Sequence, residues 1–166
     1  MKEIIWFSGL SGSGKSTIAN MIADKIKHYS SPYVLDGDIL RDGINKGLSF
    51  TNEDRKENLR RAAHIANILA ELEHQVIASF ITPMDEHREM IKEITNCKFV
   101  WIDTTMQECQ RRDPKGLYRK YFDGFIKNVT GVDSPYMPFE NCHLKIDTSK
   151  MSAEEASDLI IRKFKL

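Results

Sequence analysis

The residues best suited to chemistry open the chain. Gly9, Ser11, Gly12, Ser13, Gly14, Lys15, Ser16 and Thr17 lie in the string Gly-Leu-Ser-Gly-Ser-Gly-Lys-Ser-Thr, which fits G-x-x-x-x-G-K-[ST]. Glycines at this spacing allow backbone angles that turn successive N–H groups inward onto phosphate oxygens. A helix beginning at the end of the string adds the partial positive charge of its N-terminus. Lys15 is placed to reach the β- and γ-phosphates, and the Ser16 hydroxyl to ligate Mg²⁺. By itself the string establishes a site for a nucleoside triphosphate such as ATP.

A second pair of residues narrows the reaction. Asp36 and Asp38 flank Gly37 at the end of the short apolar run 33–35. At the carboxyl edge of a parallel sheet they would stand beside the phosphate loop. A carboxylate there can take the proton of an acceptor hydroxyl as it attacks phosphorus, which makes Asp38 a candidate base and Asp36 its companion. The plainer reading is a turn followed by a helix cap, with Asp38 able to serve as both. A guanine-reading N-K-x-D is missing, since Asn45-Lys46-Gly47-Leu48 lacks the acid. Strand three ends Ser79-Phe80-Ile81-Thr82 without the acid that a motor-type ATPase places there. The arrangement suits a small-molecule kinase.

Those residues need elements to hold them. Residues 2–8 read as a buried strand, and Ile18, Met21, Ile22 and Ile26 mark one face of the following helix. Further strands fall at 33–35, 75–80, 98–102 and 143–147. A long helix carries Leu59, Ala62, Ile65, Leu69 and Leu72, and another runs from Asp85 to Thr95. Thr51 with Asp54, Thr105 with Glu108, and Ser152 with Glu155 read as capping boxes. Strict alternation predicts an α/β fold: a five-stranded parallel sheet with helices on both faces, in one domain over 1–166. The stretch from Asp113 to Pro138 breaks the pattern. Six basic residues face two acids within 111–128. That excess predicts a lid over about 111–138 that closes on anions, the alternative being a solvated loop.

Composition bounds the rest. The chain has 166 residues, 41% hydrophobic and 29% charged, with 24 basic and 24 acidic side chains. A net charge of zero gives no support to nucleic-acid or membrane binding. Cys97, Cys109 and Cys142 form no C-x-x-C pair, so reduced thiols and a cytoplasmic location are expected.

Taken together these strings resemble the adenylyl-sulfate kinases over almost the whole chain. The likeness rests on residues 9–17, on Leu35-Asp-Gly-Asp38 with Arg41, and on Asp54-Arg-Lys-Glu-Asn58-Leu-Arg-Arg61. It continues through Arg112-Asp-Pro-Lys-Gly-Leu-Tyr118 and Thr130-Gly-Val-Asp-Ser-Pro-Tyr136. The resemblance implies a P-loop kinase fold, ATP with Mg²⁺ as donor, and the ribose 3′-hydroxyl of a small nucleotide as acceptor. It makes Asp38 the base and Asp36 an organiser of metal and acceptor. Arg112 falls on the donor side. Arg41, Phe50, Arg55, Asn58, Ile81, Thr82, Lys127 and Val129 fall on acceptor positions, Phe50 as a ring stacked on the base. Members of the family are often dimers.

Several positions depart from the family pattern. Val129 stands where a second stacking ring is usual, Thr82 where some relatives carry a phosphorylated Ser, and Met84-Asp85 where an aromatic and a cation are usual. Tyr121-Phe122 replaces Ala-Arg, and Phe125 replaces Glu. A lost ring is worth ~1–3 kcal/mol of base stacking. These departures imply an altered acceptor, for which cytidine diphosphoramidate, a precursor of capsule phosphoramidate, is the candidate; adenylyl sulfate in sulfate assimilation is the alternative. A non-catalytic nucleotide switch and a nucleic-acid end kinase are further readings. The Asp36/Asp38 pair speaks against the first and the neutral charge against the second.

Overall fold

The computed structural model describes residues 1–166. Its centre is β1 (Ile4–Ser8), buried at every position. β3 (Gln75–Ser79) and β4 (Cys97–Ile102) flank it, and β2 (Pro32–Asp36) and β5 (Leu144–Ile146) form the edges. The order is β2-β3-β1-β4-β5 and every pairing is parallel. A strand covered on both faces needs apolar side chains at each position, hence the unbroken Ile-Ile-Trp-Phe run.

The strand period of two sorts this run into two cores. Ile4 and Trp6 join Val76, Ala78, Phe99 and Trp101 on one face. There they meet α3 (Asn52–Glu71) and α4 (Asp85–Ile94). Ile5 and Phe7 join Ile77, Val100 and Ile102 on the other, against α1 (Lys15–Ile26) and α7 (Ala153–Phe164). Ala62, Ala63, Ala66 and Ala70 let α3 lie close to the sheet. Leu72, read as part of the same face, is 67% exposed because α3 ends at Glu71. The helices that follow β1 and β3 thus cover opposite faces. Their chains diverge, and the crevice between the two strand ends is where such sheets bind ligands.

Three short helices complete the fold: α2 (Gly37–Asp42), α5 (Met106–Arg112) and α6 (Leu117–Phe122). Asp36, not Asp38, caps α2, its carboxylate accepting from the Asp38 N–H at 2.9 Å. Of the three expected capping boxes only Ser152/Glu155 closes in both directions. Thr51 and Thr105 accept from the third residue on, but the return carboxylates are engaged elsewhere. Asp54 takes Ser49, and Glu108 takes Arg111 and Arg112. α6 lies inside the stretch expected to lack a period; at six residues it is too short to show one. The Asp113 carboxylate holds its start by accepting from the N–H groups of Tyr118 and Arg119.

All three cysteines are free, Cys97 and Cys109 buried. No helix is long and apolar enough to cross a membrane.

One core group gives a pH-dependent stability. The His87 ring is fully buried on α4 and neither nitrogen has a hydrogen-bond partner. Glu86 lies 4.0 Å away, and Lys56, Arg55 and Arg88 face the ring as well. Burial, reinforced by the three cations against the single carboxylate, moves its pKa below the ordinary 6.5. Below that pH the unfolded chain takes up a proton that the native ring resists. Stability is therefore full above pH 6.5 and falls as the pH drops through that value. Urea unfolding at pH 7.5 and 5.5 should show the loss, and His87→Leu should flatten the difference; an unchanged difference would refute the assignment.

Candidate functional site

Gly9 to Thr17 wraps the end of β1 as the motif requires. Gly12 and Gly14 have φ of 79° and 100°. A side chain at Gly12 would meet the Cys109 carbonyl at 2.9 Å, so α5 packs directly beneath the loop. No side chain caps α1, which leaves its first N–H groups facing the crevice. Lys15 is buried and donates to the carbonyls of Gly9 (2.9 Å) and Leu10 (2.7 Å). Burial, followed by the nearby Lys115, lowers its pKa to about 8. Ser13 forms the back of the loop, its carbonyl accepting from Thr104 and Thr148.

The loop separates two hollows. One, of about 300 Å³, is walled by Ser16, Asp36, Asp38, Arg41, Phe50, Arg55, Asn58 and residues 79–83. The other, of about 350 Å³, is walled by Thr17, Ile18, Arg112, Thr148 and 151–153. Gly12, Gly14, Thr17 and Pro114 border both. A triphosphate on the loop would therefore reach toward one molecule on each side.

In the first hollow the Ser16 hydroxyl donates to Asp36 Oδ2 at 2.6 Å and lies 3.2 Å from Ser79 Oγ. Ser79 pairs in register with both Asp36 and Phe7, so the sheet itself brings these groups together. One carboxylate beside two hydroxyls suits Mg²⁺, which is usually bound through one or two carboxylates plus substrate phosphates and water. Gly37, between the two carboxylates, lies close on the Phe80 ring, where an added Cβ would sit a tight 3.0 Å from it. Asp38 remains 60% exposed in the hollow and pairs with Lys115 from the lid.

Opposite them, the Arg41 guanidinium stacks on Phe50 at 4.4 Å. Arg55 donates to Phe50 O, to Thr130 Oγ1 and to Asn128 O, which uses three of its five N–H groups and leaves two. Asn58 accepts from Asn45 Nδ2 at 2.9 Å, leaving its own amide N–H groups without a protein partner. Arg61 pairs along the helix surface with Glu57 at 2.7 Å, whereas Arg55 makes no such pair. The segment expected to form a lid packs on the phosphate loop, where the buried Tyr118 donates to Ser11 O at 2.8 Å.

Several expected site residues lie elsewhere. Val129 is 3% exposed and packs with Leu10, Cys109 and Tyr118 beneath the lid. Lys127 is exposed and does not wall the hollow. Thr82 borders the hollow, but its hydroxyl faces the core, accepting from Trp6 Nε1 at 2.9 Å. Asp85 is bound to Arg88 at 2.8 Å, and the exposed Phe122 sits on Tyr121; neither reaches the hollow. Val129, Asp85 and Phe122, the departures that carried the cytidine reading, thus lie outside the cavity. Sequence reading passed over Ser79 as a ligand group and Thr148 altogether. Parallel register could have signalled Ser79, while Thr148 follows an edge strand with no motif around it.

Thr82 has a further cost. Its φ is 49°, a strained region for a β-branched residue. Its hydroxyl is what satisfies the buried indole N–H. Thr82→Val should lower stability by ~1–3 kcal/mol in chemical denaturation, the cost of an orphaned buried donor. A loss below about 0.5 kcal/mol would mean that the indole finds another partner.

The sheet order, the phosphate loop and the flanking hollows define a P-loop kinase fold. A model of the adenylylsulphate kinase family matches residues 1–147, and the chain belongs to that family. A bifunctional enzyme NodQ from Rhizobium sp. (strain N33) is 47% identical over 95% of the chain, which spans 25% of that protein. A probable adenylyl-sulfate kinase from Halalkalibacterium halodurans is 44% identical over 96% of the chain and 78% of its own length. The solved structure of the Mycobacterium tuberculosis APS kinase CysC in complex with AMPPNP and APS superposes with a TM-score of 0.95. It is 41% identical, over 99% of this chain and 98% of that one.

Proposed function

We propose that the chain transfers the γ-phosphate of ATP to the ribose 3′-hydroxyl of adenylyl sulfate. The observation that carries this reading is the first hollow. It sets the exposed carboxylate of Asp38, an aromatic face and two guanidinium groups around one end of the phosphate loop. The family match and the relatives named as adenylyl-sulfate kinases favour this acceptor over a cytidine nucleotide.

The geometry supports the following roles. Backbone N–H groups of 9–17 and the Lys15 ammonium hold the triphosphate, with Arg112 and Thr148 beside the donor hollow. Ser16, Asp36 and Ser79 would hold Mg²⁺, which when bound offsets charge on the phosphate oxygens. Asp38 accepts the hydroxyl proton of the acceptor. The remaining donors of Arg55, with Arg41, bind the acceptor's anionic end in bidentate fashion, and the Phe50 ring stacks on its base. Positioning and charge stabilisation supply most of the acceleration.

An ADP-release assay across a nucleotide panel tests this, with the product's phosphate located by ³¹P NMR. Adenylyl sulfate should give a 3′-phosphorylated product. Turnover of a cytidine diphosphoramidate alone would replace the acceptor, and ATP binding without turnover of any nucleotide would replace the reading with a switch.

A further inference from the structure

We infer that Arg88 is a positioning residue that ties the return end of the lid to the loop lining the acceptor hollow. It is 1% exposed, an unusual state for a guanidinium, and it lies outside the hollow. Nε donates to Thr82 O at 3.3 Å. Nη1 donates to Asp85 Oδ1 at 2.8 Å and to Pro138 O at 3.0 Å, and Nη2 donates to Met137 O at 2.5 Å. The same group lies over the Phe139 ring at 4.2 Å and the Tyr136 ring at 5.5 Å.

One planar fork therefore grips two segments far apart in sequence. The first, 80–83, borders the hollow through Phe80, Ile81, Thr82 and Pro83. The second, 136–139, is where the chain leaves the lid. A backbone bond from Met137 N to Pro83 O at 2.8 Å joins the two directly. Tyr136 carries the junction to a third segment, its hydroxyl 2.9 Å from Ser8 Oγ at the end of β1. Ser8 in turn donates to the carbonyls of Ile81 and Thr82. The strand feeding the phosphate loop, the acceptor wall and the lid's exit thus meet at one buried polar knot.

This assignment deepens the proposed reaction and rests on it for its kinetic consequence. A buried Arg with every contact in the fork geometry is not replaced by a lysine or an amide, because neither serves three carbonyls and a carboxylate at once. Loosening it lets the lid's exit and the acceptor wall drift against the phosphate loop. Misplacement of ~1 Å in substrate-positioning groups costs about 10²-fold in rate. The donor hollow shares no residue with the knot, so donor binding should be spared.

The test uses Arg88→Gln and Tyr136→Phe in the full chain. Amide hydrogen exchange reads the knot without any acceptor. Arg88→Gln should speed exchange at 136–139 and through 113–135 while leaving α1 and β1 protected, and Tyr136→Phe should do so more weakly. Steady-state kinetics then reads the consequence. Arg88→Gln should lower kcat/KM for adenylyl sulfate by roughly 10- to 100-fold, with KM for ATP within about twofold. Faster exchange spread evenly over the chain, or unchanged kcat/KM in variants whose lid exchanges faster, overturns the assignment. A wild-type chain that does not turn over adenylyl sulfate refutes the proposed function instead. The knot then stands or falls on the exchange pattern. Where Arg88→Gln does not fold, Tyr136→Phe carries both readings, because it removes one hydroxyl and keeps the ring.

Discussion

Asp38→Asn lowers kcat by about 10²- to 10⁴-fold, the usual contribution of a general base, while ATP binding persists. Asp36 and Asp38 sit two residues apart yet are distinguished by their partners. The Asp36 carboxylate caps α2 through Oδ1 and accepts from Ser16 through Oδ2, so both oxygens are engaged. Asp38 has no such ties to its own element. It stands exposed in the hollow, paired only with Lys115 across 77 residues of sequence. An Asn side chain keeps the shape and removes the proton acceptor. Rapid-quench measurement of ADP formation reads the step, and calorimetry of ATP binding reads the site. Turnover within threefold of the unaltered chain would move the base elsewhere. Asp36→Asn, by contrast, should also weaken α2 and the Mg²⁺ dependence, since its carboxylate serves the fold and the site together.

Lys15→Met should cost about 10²–10³-fold in kcat, as for removal of one preorganised donor at a site of developing charge. The free chain also supplies a proton-linked signature. With its pKa at about 8, Lys15 begins to lose its charge under mildly alkaline conditions. A triphosphate beside it favours the ammonium and raises that pKa, so ATP binding above pH 8 takes up protons. The sign follows directly: affinity is full below the free pKa and declines as the pH rises through it. Calorimetry at pH 8.5 in two buffers of different ionisation enthalpy measures the uptake, and Lys15→Met should abolish it. Lys115→Met removes a neighbouring cation that holds the pKa down, so it should shrink the uptake. Uptake that is equal in Lys15→Met and the unaltered chain would assign the proton to another group.

The parts legible from sequence are those whose information is local. The phosphate loop is contiguous, and its glycines are demanded by backbone angles that residue type alone reports. The sheet follows from strands long and apolar enough to need cover on both faces, and from helices whose 3.6-residue period names their buried side. Asp36 and Asp38 could be found because the parallel order of strands puts the end of β2 beside the end of β1.

Tertiary structure alone decided where the remaining side chains point. Loop and lid residues follow no period, so a matching string could not tell that Val129 faces inward under the lid and that Thr82 serves Trp6. Nor could it tell that Asp85 is consumed by Arg88. Each of these readings treated a chemical difference as a difference in the pocket, and burial redirected it. Contacts across long separations, such as Lys115 with Asp38 and Arg88 with Met137 and Pro138, have no signature in either partner's neighbourhood. They exist because closing the sheet brings chain segments together at one edge. What a guanidinium or carboxylate does there depends on which carbonyls arrive beside it.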